Sequence, residues 1–160
     1  MKKWTLFFVL IIAVQMSYKI MFMLAAEEES ALINIIQENK DSIAIKKVIE
    51  TYYESFAQRD SNSIMSHISN NFSAILKGKV VDYNGFKSYI ESWLKDTVDI
   101  SIGNLNILKL DISDNKATIF IKYNFNGFNL NTLNDINVIH KRQFALVKEN
   151  GSWKILSVGN

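Results

Sequence analysis

From Ser42 to Arg59 the apolar side chains recur at Ile45, Val48, Ile49, Tyr52, Tyr53 and Phe56, the spacing of one helix face. At about 1.5–3 kcal/mol for each large apolar side chain removed from water, that face is worth on the order of 10 kcal/mol, comparable with the net stability of a domain. The remaining elements must therefore cover it. Upstream, Glu27 to Lys40 reads as a polar helical spacer, and Asp41 or Ser42 can cap the central helix. Downstream, Arg59-Asp60-Ser61 breaks the period, and a short helix follows with Ile64, Met65 and Ile68 on one side. Phe72 to Leu76 and Val80-Val81 read as a strand pair joined by a turn at Lys77-Gly78-Lys79. Asp82 to Asn84 can cap a third helix reaching about Lys95, with Phe86, Tyr89, Ile90, Trp93 and Leu94 as its buried stripe.

From Val98 the period becomes two. Val98, Ile100 and Ile102 alternate with polar residues, Leu105 and Ile107 continue, and Leu108, Leu110 and Ile112 resume in the opposite phase, which predicts a bulge near Ile107. A turn at Asp114-Asn115-Lys116 leads into a strand through Ala117, Ile119, Ile121, Tyr123 and Phe125. Asn126 to Asn134 is expected to be a loop, Ile136 to Lys148 a third long strand, and Trp153 to Val158 the last, after a turn at Glu149-Asn150-Gly151-Ser152. Three helices followed by a four-stranded antiparallel meander predict an α+β domain.

The first 26 residues follow another rule. Met1-Lys2-Lys3 precedes the apolar run Trp4 to Val14, and Ile20 to Ala26 ends before Glu27-Glu28-Glu29. A positive end, an apolar centre and small residues at Ala25 and Ala26 fit an export signal. Read as an anchor, Trp4 to Ala26 is long enough, at about 1.5 Å per residue, to cross roughly 30 Å of hydrocarbon, although Lys19 lies within it. Signal peptide and membrane anchor both place the domain, residues 42–160, outside the cytoplasm, a buried core helix is the third reading and does not, and the N-terminal segment is the only expected membrane contact.

Composition narrows the chemistry. The chain has 160 residues, 48% hydrophobic and 21% charged, enough for one core and a short extension. Setting aside Lys2, Lys3 and Lys19 turns 18 basic residues against 16 acidic into a small acidic excess, so no basic patch for a phosphate backbone is expected and nucleic acid is excluded as a partner. The absence of cysteine excludes disulfides, thiolate catalysis and thiolate metal sites. His67 and His140 have no metal-ligand spacing, so no metal and no cofactor is expected.

The helix ending Tyr52-Tyr53-Glu54-Ser55-Phe56-Ala57-Gln58-Arg59-Asp60, the Ile64 to Phe72 segment, and the ending Phe144 to Ile155 (FALVKENGSWKI) resemble the nuclear transport factor 2-like superfamily in its SnoaL-like branch. The resemblance covers residues 42–158. It implies a cone-shaped roll, three helices on a curved antiparallel sheet, whose cavity serves isomerases, dehydratases, binding modules and assembly domains alike.

An isomerase of that kind needs a tyrosine on the first long helix and a carboxylate base facing it. Tyr52 matches the tyrosine, but counting forward the aspartate falls at Leu76, with Ile75 and Lys77 beside it. The base is missing. His140 with Arg142 is the candidate pair for a dehydratase arrangement; their phase with Val138, Phe144 and Leu146 directs them at the helices, and a twist of the strand would direct them to solvent instead. The resulting expectation is a non-catalytic module whose apolar cavity, lined by Tyr52, Phe56, Trp93, Tyr123, His140 and Arg142, takes a small apolar ligand. The alternatives are an assembly domain resembling the periplasmic domains of type IV secretion inner-membrane components, and a SnoaL-like isomerase or dehydratase. The resemblance also implies a homodimer through the sheet.

Overall fold

A wide apolar face on an eighteen-residue segment can form only if something wraps it, and the computed structural model shows what does. The structure describes residues 23, 37 and 39–159. The chain divides into two units, Met1–Lys40 and Asp41–Asn160. In the first, the described residues 23, 37, 39 and 40 are helical. Of the export and anchor readings only Met23 is described, and of the spacer only Gln37, Asn39 and Lys40, so the rest of both segments lies outside the described residues, among which no helix is long and apolar enough to cross a membrane.

In the second unit, α1 (residues 41–57) buries Ile45, Ile49, Tyr52 and Tyr53 and half-buries Val48 and Phe56, as its spacing predicts. Residues 39 and 40 are already helical, so neither Asp41 nor Ser42 stands at a helix start and the expected cap is absent. Its other end closes in a Schellman motif: Asp60 N–H donates to Ser55 O and Arg59 N–H to Phe56 O, with Arg59 at φ 57° where glycine is usual. The Arg59 guanidinium donates to Leu94 O, at the far end of α3.

Asp60 then caps α2 (Ser61–Ser66), its carboxylate accepting from Ser63 N–H at 3.0 Å, and Ile64 and Met65 face inward. Strands β1 (Ser73–Leu76) and β2 (Lys79–Asp82) form a hairpin whose turn residues Lys77 and Gly78 both have positive φ, the geometry that matches strand twist. Asp82 caps α3 (Tyr83–Asp96) through Gly85 N–H at 2.8 Å. Helix α3 buries Phe86, Ile90 and Leu94, while Trp93 is half-buried and Tyr89, expected within the stripe, is 36% exposed at its margin.

The four long strands, β3 (Thr97–Ser113), β4 (Lys116–Asn129), β5 (Asn134–Glu149) and β6 (Ser152–Gly159), pair antiparallel in sequence order. Register shifts interrupt β3 against β4 at three places, not the single one expected: between Val98 and Ser101, Gly103 and Asn106, and Ile107 and Lys109. Seventeen residues of β3 thus face fourteen of β4, one extra residue per bulge. Asp99 and Asn104, at φ 53° and 52°, take the left-handed conformation inside the first two.

The expected loop at 126–134 shrinks to four residues. Asn126 to Asn129 continue β4 because both edges find partners, Asn126 pairing with Ser101 and with Asn137. Polar side chains hid a strand whose backbone bonds are complete.

Inward residues Ala117, Ile119, Ile121, Tyr123 and Phe125 of β4 are buried, and Phe144 of β5 meets Tyr52 and Tyr53 edge-on at 5.9 and 6.1 Å. The sheet's inner face therefore lies on α1. A parallel bridge between Ile68 and Ile155 ties the segment after α2 to β6. This is an α+β roll with helices packed on a curved antiparallel sheet.

Candidate functional site

Seven rings close a circuit between α1, α3 and the sheet. Tyr52 meets Phe56 at 5.1 Å, Phe56 meets Trp93 at 5.7 Å, and Trp93 meets Phe125 at 5.6 Å. The circuit returns through His140 and Tyr123, 5.3 Å apart, to Tyr53 at 4.5 Å and back to Tyr52 at 5.2 Å. Most contacts are edge-on or tilted, the arrangement that ring quadrupoles favour.

Beside this packing the structure opens a cleft of about 720 Å³. Its walls are Tyr52 from α1, Ala74, Ile75, Leu76 and Val80 from the first hairpin, Phe86 from α3, and residues of β5 and β6 that include Arg142 and Val158. Of the six residues expected to line a cavity, Tyr52 and Arg142 reach this cleft. Phe56, Trp93, Tyr123 and His140 are joined in the ring circuit instead. The hairpin wall was not anticipated. Its strand signal was legible, but nothing in four-residue strands says which space they border.

Leu76 and Tyr52 line the same cleft, and the position that would carry the base carries an isobutyl group. No Asp, Glu or His is among the described lining residues. Burial pushes the Tyr52 hydroxyl far above the ordinary tyrosine range, with Tyr123 adding to the rise and Arg142 opposing it. It is a hydrogen-bond donor at any physiological pH and never a base.

Burial likewise raises Tyr53 and Tyr123. The Tyr53 and Tyr123 rings lie 4.5 Å apart, and the Arg142 charge opposes the rise at both. His140 is held below its ordinary value by partial burial first and by the Arg142 charge second, so it is neutral near pH 7. His67, half-buried beyond the cleft, is lowered by desolvation and by Lys154. Among the described residues no group of His, Cys, Asp and Glu could hold a metal ion.

A SnoaL-like domain model matches residues 45–159, and the chain belongs to that family. Its fold is shared with solved proteins of low identity. A ketosteroid isomerase-like protein from Erwinia carotovora atroseptica is 16% identical over 72% of this chain and 91% of its own, with a TM-score of 0.63. A proposed dehydratase of the NTF2-like family from Streptomyces avermitilis is 12% identical over 76% and 94%, TM-score 0.66. An NTF2-like protein of unknown function from Pseudomonas putida is 10% identical over 75% and 84%, TM-score 0.58. Among curated proteins none matches the sequence at a significant level. Family and fold together define a SnoaL-like domain built as an α+β roll.

Proposed function

We propose that this domain binds a small, largely apolar molecule in the cleft between the first hairpin, the middle of β5 and the end of β6, and that it does no proton-transfer chemistry on it. One observation carries the reading: Leu76 lines the same cleft as Tyr52, and none of the described lining side chains can accept a proton at neutral pH. Tyr52 supplies a buried donor to orient a bound group, while Leu76, Val80, Phe86 and Val158 supply apolar wall. A volume near 720 Å³ falls within the range of about 300–1,000 Å³ usual for small-molecule sites. The N-terminal pattern supports a site of action outside the cytoplasm.

Nile red, a neutral apolar dye, tests the binding. Its emission should rise and shift to the blue on the full chain, and Ala145→Phe, which fills the cleft, should abolish the change. Dye binding unaffected by that substitution would move the site elsewhere. A β,γ-unsaturated ketone incubated with the chain should not isomerise; turnover abolished by Tyr52→Phe would establish an enzyme.

A second reading, association with another protein, is favoured by the outer sheet face, where Leu108, Phe120 and Ile139 are 56%, 36% and 60% exposed. Sedimentation of the full chain separates it: self-association lost in Ile139→Lys would support this reading.

A further inference from the structure

We infer that the first half of β5 is a pairing edge for a second copy of this chain, the two strands running antiparallel about a two-fold axis at Val138, with Asp135 of each copy against Lys141 of the other. The inference goes beyond ligand binding and gives association a surface other than the outer sheet face, namely the edge of the sheet.

The edge follows from the unequal cover on the two sides of β5. The strand pairs with β4 from Asn134, opposite Asn129, to Val147, opposite Lys116. On its other side β6 covers only Gln143 to Glu149. Residues 134–142 therefore have a strand on one side and, among the described residues, none on the other. Successive residues of a strand turn their N–H and C=O to opposite sides, so every second residue of this stretch offers both groups to an incoming strand.

Most devices that keep sheet edges apart are missing here. The chain has no proline, and no register shift bends β5 against β4. Val138 and Ile139 are 41% and 60% exposed, and residues 134, 135, 137 and 141 are exposed as well. Lys141 remains as a guard, because a buried or unmatched lysine discourages a partner strand. It stops being one when a carboxylate stands opposite.

The strand's own sequence supplies that carboxylate. When a strand pairs with its copy in antiparallel sense, residues whose backbone faces the partner must meet residues of the same parity, so the two-fold axis passes through a residue. The midpoint of 134–142 is Val138. An axis there uses the whole uncovered stretch, sets Asp135 opposite Lys141 twice by symmetry, and places Val138 against Val138. Neither Asp135 nor Lys141 takes part in a salt bridge among the described residues. Moving the axis one residue back sets Asp135 against Ile139, and one residue forward sets Lys141 against Asn137, with a shorter paired stretch in both cases. Length and charge thus select the same register. Its far end sets Asn134 of the second copy opposite Arg142, so the incoming strand ends beside one wall of the cleft.

Because the chain has no cysteine, single cysteines introduced into the full chain read the register directly. Val138→Cys should give a disulfide-linked dimer under mild oxidation, since directly opposed residues of an antiparallel pair have Cα atoms about 4.5–5.5 Å apart, within disulfide reach. Ile136→Cys and His140→Cys, each about 14 Å along the strand from its own counterpart, should stay unlinked. In sedimentation, Asp135→Lys and Lys141→Asp should each weaken self-association about tenfold, and the two together should restore it. Linking at 136 or 140 as readily as at 138 overturns the inference. Self-association that ignores the charge exchange and gives no link at 138 overturns it too and leaves the outer face as the contact. A chain that stays monomeric overturns both association surfaces and leaves the cleft reading standing.

Discussion

The Trp153 indole N–H donates to Asp41 Oδ1 at 2.9 Å, and the Lys148 ammonium donates to the same oxygen at 2.7 Å while lying 5.6 Å from the centre of the indole ring. One carboxylate at the start of the second unit thus fastens α1 to the β5–β6 turn, more than a hundred residues away. Lys148 and Asp41 are 21% and 10% exposed at their side chains, so water screens the pair only weakly. Asp41→Ala removes the shared acceptor and leaves a buried indole donor and a mostly buried ammonium. The expected loss is about 2–3 kcal/mol, read as a lower urea midpoint at unchanged slope. Lys148→Met in the Asp41→Ala background should cost less than it does alone.

Phe144 is 1% exposed and meets both Tyr52 and Tyr53 edge-on. Phe144→Ala should cost about 3–5 kcal/mol, with Phe144→Leu costing much less because most of the volume returns. Chemical denaturation of the two variants measures the difference.

Alkaline pH should unfold the domain through its tyrosines. Tyr52, Tyr53 and Tyr123 have folded values raised above the ordinary 10.0. The unfolded chain therefore binds fewer protons than the folded chain once pH passes 10, and stability present below that point is lost as pH rises through the folded values. Ultraviolet phenolate absorbance should show these three ionising together with loss of the far-ultraviolet helix signal. Ionisation completed before unfolding would contradict their burial.

Acid acts through the histidines, with the opposite sign. His140 and His67 have folded values below the ordinary 6.5, so the unfolded chain takes up protons first as pH falls below that point. Stability is present above pH 6.5 and declines below it. His140→Gln and His67→Gln should each flatten the decline between pH 6.5 and 5, measured as the pH dependence of the melting temperature.

How much of this was legible in the sequence depended on how local the deciding force was. The stripe Phe86, Ile90 and Leu94 and the alternation from Ala117 to Phe125 are local patterns that one buried face imposes, and both are realised. Asn126 to Asn129 broke the pattern because backbone pairing with two neighbours, which no side chain advertises, decides their state. Asp41 looked like a cap because its charge suits a helix start; its partners Lys148 and Trp153 lie too far along the chain for any local signal to name them. At the cleft, Tyr52 and Leu76 could be placed by the family resemblance. The contribution of the hairpin depended on where β1 docks, which is beside β6.

The inward residues of β3 after Thr97 fall at Ile100, Ile102, Leu105, Ile107, Leu110 and Ile112, steps of two and three in alternation. The strand is therefore read in fives, not in twos, and its frame is held by Asp99, Asn104 and Leu108, each the spare member of its step. Deleting one of those three positions turns its step of three into a plain step of two and leaves the inward set in phase, whereas a deletion elsewhere in the strand inverts everything on one side of it. Natural or engineered shortening of this strand should accordingly fall at those three steps, while the opposite strand, which has no such spares, keeps its length.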